Sequence, residues 1–134
     1  MMRMTFSKLT LLAFAVVFIG GAKAAENKLD HLPWERHALA HQEAEALSQA
    51  QCAERGGEWG KHGTAPQESC ALKTADGGKI CRNGNECEIA CVSRVDPRYA
   101  KNRFVVAECV KSTSVLGCIF YVEGGMVAHA DCRE

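Results

Sequence analysis

Residues 70–91 read CALKTADGGKICRNGNECEIAC, with cysteines at 70, 81, 87 and 91. So many cysteines in so short a span leave little room for long elements between them. Two turn signals punctuate it. Asp76-Gly77-Gly78 is one, because glycine takes positive φ and aspartate bonds its own backbone. Arg82-Asn83-Gly84-Asn85 is the other, since Asn-Gly adopts the same conformations. The stretch reads as a cysteine knot-like middle of short turns, with one helical turn over Glu86 to Cys91. Loops held on a rigid frame commonly carry function, so Thr74 to Glu86 is the natural display loop.

Upstream, Ala25 to Leu32 is polar and reads as frayed. Pro33 then suits a first helical turn, where its missing N–H costs nothing. Trp34 to Arg55 is rich in Ala, Glu, Gln and Leu and holds no Gly or Pro, so it predicts one uninterrupted helix. Leu39, Glu43, Ala46, Leu47, Ala50 and Glu54 follow helical spacing, but the apolar stripe is thin. Gly56-Gly57 ends the helix, with Gly56 as the residue just past the cap. Trp59 folds back on the helix as a core anchor, since an indole carries a large apolar area.

Downstream, the pattern becomes β-like. Arg103 to Val110 is rich in Val and Phe. Cys118 to Val122 is aromatic and β-branched, which suits a strand buried on both faces. Glu123-Gly124-Gly125 turns, and Met126 to Ala130 returns. The expectation is an antiparallel hairpin or a three-stranded meander. The fold class is therefore α+β: a small disulfide-rich domain over 56–134, preceded by a helical segment over 25–55.

The first 24 residues have the layout of a cleavable signal peptide. Arg3 and Lys8 supply the positive start. Leu9 to Ile19 is apolar, and Ala22-Lys23-Ala24 is a small-x-small cleavage site. The apolar run falls well short of the ~20 residues a membrane span needs. Cleavage after Ala24 removes Arg3, Lys8 and Lys23 and no acidic residue. The whole chain's 16 basic and 16 acidic residues then become 13 against 16. The mature chain carries no basic tract, so nucleic acid is not an expected partner. After cleavage no membrane span is expected either.

All eight cysteines (Cys52, Cys70, Cys81, Cys87, Cys91, Cys109, Cys118 and Cys132) lie in the mature part. An even count in a short exported chain reads as a disulfide framework, and localisation is periplasmic or secreted. Their pairing is open among many connectivities. Two bridges are suggested. Cys118 and Cys132 flank the last hairpin symmetrically about Gly125, through a three-residue loop Gly124 to Met126. Cys52 and Cys70 close the Gly-Gly-x-Trp loop.

The run Cys52-Ala-Glu-Arg-Gly-Gly-Glu-Trp59, Cys70, Thr74-Ala-Asp-Gly-Gly-Lys-Ile-Cys81 and Cys87-Glu-Ile-Ala-Cys91-Val, with the late Gly117-Cys118, resembles small cysteine-rich exported proteins of proteobacteria. The resemblance covers Cys52 to Cys132. It implies a fold framework and a location, and no activity.

Candidate chemistry is sparse. His37, His41 and Glu45 lie at i, i+4 and i+8 of the predicted helix and share a face that could ligate a divalent metal. Ala38 follows His37, so the glutamate base of the zinc-protease pattern is missing. The favoured reading of the three is a solvated helix face. His31 and His62 could add to such a site only in space. Zinc ligation by cysteine lacks two matched pairs, since only Cys87 and Cys91 approach the spacing. There is no Cys-x-x-Cys, no Gly-x-Ser-x-Gly, and no phosphate loop. His129 sits in an apolar strand, as a packed or edge histidine. No cofactor is expected, and the sequence leans away from an enzyme. Three functions stay open: a binding or inhibitory module acting on another protein or an envelope component, an envelope metal-binding protein or hydrolase using the helix histidines, and a structural or stress-related envelope protein.

Overall fold

In a computed structural model describing residues 31–99 and 104–134, the helical segment is broken in two. Helix α1 spans Pro33–Glu45 and α2 spans Gln49–Glu54. The uninterrupted helix expected over Trp34 to Arg55 is corrected here. Ser48 starts a new helix: its Oγ accepts from the Gln51 N–H at 3.3 Å, while Gln51 Oε1 accepts from the Ser48 N–H at 2.9 Å. This reciprocal capping box satisfies two donors that a helix start otherwise leaves bare. Helix α2 ends as its glycines require. Gly56 has φ +67°, the Gly56 N–H donates to Ala53 O, and the Gly57 N–H donates to Cys52 O at 2.9 Å. That is a Schellman closure.

Among the described residues seven strands follow. A two-stranded sheet pairs β1 (Glu58–Gly60) with β2 (Ser69–Ala71), and a five-stranded sheet has the order β3-β5-β4-β6-β7. Its strands are β3 (Ile80–Cys81), β4 (Cys91–Ser93), β5 (Ala107–Cys109), β6 (Gly117–Glu123) and β7 (Met126–Arg133). The hairpin expected at the end of the chain is β6–β7. The meander is not formed: β4 separates β5 from β6. The disulfide Cys87–Cys109 ties β5 to the cysteine-rich middle, and Val92 of β4 pairs with Glu108 on one side and Tyr121 on the other. The helical turn expected over Glu86 to Cys91 is also corrected. The turn is a 3-10 segment at Gly84–Glu86, and Cys91 already belongs to β4. Glu86 fixes it by accepting from the Arg82 and Asn83 N–H groups at 3.0 and 2.8 Å. The expected signal peptide over residues 1–24, the segment 25–30 and the start of the strand expected at Arg103 lie outside the described residues.

The bridges are Cys52–Cys70, Cys81–Cys91, Cys87–Cys109 and Cys118–Cys132, with no free cysteine. Both suggested pairings are present, but the hairpin reaches its pairing by another route. Its loop has two residues, Gly124 and Gly125, with φ of +61° and +78°, as a tight hairpin turn demands. Glu123 pairs with Met126 and Val122 with Val127, whereas Tyr121 pairs with His129. Ala128 is therefore an extra residue, a bulge that restores the symmetry a three-residue loop would have given.

Three buried clusters hold these elements. Ala44, Cys52, Cys70 and Leu72 join the helices to the small sheet, with Trp59 half-buried against them. Cys81, Cys87, Cys91, Ala107, Cys109 and Val122 form a sulfur-rich layer. Ile89, Ala90, Val92, Val110, Ile119 and Tyr121 receive Trp34 and Ala40 of α1. Ile119 to Val122 are all buried, as a strand covered on both faces should be. Among the described residues no helix is long and apolar enough to cross a membrane.

Candidate functional site

Helix α1 does not turn its histidines to solvent together. Its buried residues are Pro33, His37 and Ala44, while Leu39, expected on the apolar stripe, is 40% exposed. The solvated-face reading of His37 is thus corrected: the ring is fully buried. The physical reason lies on β6. His37 Nδ1 sits 2.7 Å from the Tyr121 hydroxyl, so one polar ring atom is satisfied in the interior. Burial, reinforced by the positive charge of Arg133, pushes the His37 pKa down to about 4. The ring is neutral at physiological pH. Burial likewise raises the Tyr121 hydroxyl to about 12.

His41 lies one turn on and is half-buried, 3.4 Å from Glu45 Oε1. Desolvation lowers its pKa, partly offset by Glu45. Among the described residues no hydrogen bond of good geometry reaches His37 Nε2 or His41 Nδ1, although the main chain of Ser112 and Thr113 lies close enough to the His37 ring to favour its charged form. The ligand atoms of His37, His41 and Glu45 are not gathered closely enough to share one ion; His37 Nδ1 meets Tyr121, and His41 meets Glu45, with Arg133, His62 and Asp131 also acting on it. Among the described residues the one group of three donors close enough to share an ion is Cys81, Cys87 and Cys109. Those sulfurs are all locked in disulfides. His62 Nε2 lies 3.2 Å from the Ser69 carbonyl on the small sheet. The His31 ring lies 3.9 Å from Glu35. His129 is an edge-strand residue stacked on Trp34 with ring centroids 4.7 Å apart.

The arrangement that does form lies beside the turn-rich middle. A groove of about 400 Å³ runs between α1 and the segments at Leu72–Thr74 and Glu88–Ile89. Leu39, Ala40, Leu72 and Ile89 supply its apolar surface, and Glu43, Arg55, Lys73 and Glu88 supply charge of both signs. Sequence builds each wall locally. Arg36 pins α1 across the groove, donating from Nε to Ile89 O at 2.9 Å and from Nη2 to Gly84 O at 2.7 Å. Desolvation lowers the Arg36 pKa, and Glu123 partly opposes this. The other wall is tied at its base. The Thr113 N–H donates to Leu72 O and the Leu72 N–H to Thr113 Oγ1. Thr74 Oγ1 donates to Val110 O.

The turn at Asp76 is equally fixed. The Glu88 N–H donates to Asp76 Oδ2 and the Ala75 N–H to Glu88 Oε2, both at 2.7 Å. The turn-rich middle is thus bound to the frame at many points and flanks a groove with two anchored walls. Sequence reading placed the loop but missed the groove, because its helical wall depends on Arg36 reaching main-chain carbonyls some fifty residues away.

No family model, curated protein or solved structure matches this chain.

Proposed function

We propose that this protein is an exported, disulfide-stabilised binding module of the periplasm or extracellular space. Its groove between α1 and residues 72–74 and 88–89 takes a short segment of another envelope protein. The observation that carries the reading is Leu39, 40% exposed on α1 over an otherwise anchored apolar surface. A half-exposed leucine flanked by Glu43, Arg55, Lys73 and Glu88 matches a polypeptide, which presents apolar side chains beside charged ones. Its frame supports the role. Bridges at Cys70, Cys81, Cys87 and Cys91 brace the wall of residues 72–74 and 88–89, Arg36 pins the helical wall, and a preformed surface loses little freedom on binding. Bridges of this kind persist in oxidising compartments outside the cytosol, in keeping with the signal-like leader. The resemblance to small cysteine-rich exported proteins of proteobacteria agrees with this location.

The test compares partner capture from envelope extract by the wild-type chain, Leu39→Asp and Ile80→Asp. Ile80 is 67% exposed and does not line the groove. The proposal expects one partner retained by wild type and Ile80→Asp and lost with Leu39→Asp. Equal capture by all three, or none by wild type, overturns it.

A further inference from the structure

Strand β7 is the outermost strand on its side of the five-stranded sheet. Cys132 and Cys118 are register partners with Cα atoms 4.0 Å apart. So close a separation marks a non-hydrogen-bonded antiparallel pair, whose N–H and C=O groups point away from each other. The main-chain groups of Cys132 therefore point outward from β6. Two residues along, so do those of Ala130. Both residues are exposed, and among the described residues no hydrogen bond connects their main-chain groups to another segment. The stretch from His129 to Arg133 carries neither proline nor lysine, its two charges, Asp131 and Arg133, pair with each other, and its bulge lies before it, at Ala128. Natural edge strands are usually blunted by such devices.

We infer that this edge pairs with the same edge of a second copy of the chain, antiparallel about a two-fold axis at Ala130. In that register Ala130 exchanges both main-chain bonds with its symmetry mate, and Cys132 lies opposite Ala128 of the second copy. An isologous contact of this kind closes as a dimer.

Charge selects the register. With the axis at Ala130, His129 faces Asp131 of the second copy, twice over, and the imidazole N–H donates to the carboxylate. An axis at Asp131 sets aspartate against aspartate and His129 against Arg133. An axis at His129 sets histidine against histidine and leaves Asp131 opposite Val127. An axis at Cys132 brings Asp131 to Arg133, but the strand ends almost at once beyond it. Arg133 already meets Asp131 Oδ2 of its own strand at 3.1 Å, so that arrangement only exchanges one pair for another, whereas the axis at Ala130 leaves this pair in place and adds His129 at the other carboxylate oxygen. One strand pair buries less than a standard interface, so the dimer dissociates on dilution.

Sedimentation of the oxidised full chain over a range of concentrations tests this, beside hydrogen exchange at the Ala130 and Cys132 amides. A monomer–dimer equilibrium is expected, with both amides slowing as concentration rises. Ala130→Pro removes an outward N–H and no bond to β6. It should weaken dimerisation at least about tenfold while thermal unfolding of the monomer stays cooperative. His129→Asp should weaken it too, and His129→Asp combined with Asp131→His should restore it. A monomer at every concentration overturns the inference, as does a dimer indifferent to Ala130→Pro. Amide protection independent of concentration also overturns it, since a segment of the same chain would then cover the edge.

Discussion

Acidification from about pH 7 to about pH 4.5 acts on a group whose environment can be converted into stability. His37 is fully buried against Tyr121, and its pKa falls from 6.5 to about 4. Between those values the unfolded chain binds a proton at this site and the folded chain does not. Stability therefore falls as pH drops through the window, and the contribution is fully present above pH 6.5. At 1.36 kcal/mol for each pH unit, protonation at this site removes about 2.5 kcal/mol by about pH 4.5. The charged or titratable groups acting on the ring are Arg133 and His41, and the main chain of Ser112 and Thr113 opposes them. His41 shifts in the same direction, so the comparison must isolate His37.

His37→Gln does so, because glutamine has no proton to gain in this range while His41 and the carboxylates stay in place. The assay is denaturant unfolding of the oxidised protein, followed by tryptophan fluorescence, at several pH values from about 7.5 to about 4.5. The variant is expected to be less stable at neutral pH, since it disturbs the bond to Tyr121. Its gap to wild type should narrow by about 2.5 kcal/mol between those pH limits. Parallel pH dependences for the two proteins would refute the reasoning, because His37 would then titrate alike folded and unfolded.

Other perturbations follow from the same contacts. In Gly57→Ala the new Cβ would lie 2.7 Å from Cys52 Sγ and 2.8 Å from Cys70 Sγ, and overpacking of this kind costs roughly 1–3 kcal/mol, measurable by denaturant unfolding. Arg36→Met removes the charged donors to Ile89 O and Gly84 O and should cost about 1.5–3 kcal/mol, with faster amide exchange confined to α1. Replacing Cys52 and Cys70 together by alanine opens a loop with sequence separation 18. It should cost about 3 kcal/mol and speed exchange in α2 and the small sheet before β4 and β6.

Much of the frame was legible because glycine and cysteine carry geometry in their identity. Gly56 and the Gly124-Gly125 turn were readable from their neighbours, and their positive φ values are where the chain reverses. The cysteines at 118 and 132 announced the last hairpin, although a two-residue turn and a bulge at Ala128 replaced the expected loop. Ser48 with Gln51 was a readable capping box, hidden by the good helix formers around it. The rest depended on contacts distant in sequence. Nothing near His37 announces that Tyr121, far along the chain, will receive it, and a histidine on a polar helix reads as solvated. Strand β4 was obscure for a related reason: three residues among cysteines become a strand only because β5 and β6 pair on both sides.

The most direct measurement of the central claim is site-specific photocrosslinking in cells exporting the protein. A photoreactive residue is placed at Leu39, in the groove, or at Ile80, outside it. The account predicts a discrete adduct with an envelope protein from position 39 and none from position 80. No adduct at 39, or the same adduct from both positions, would contradict it.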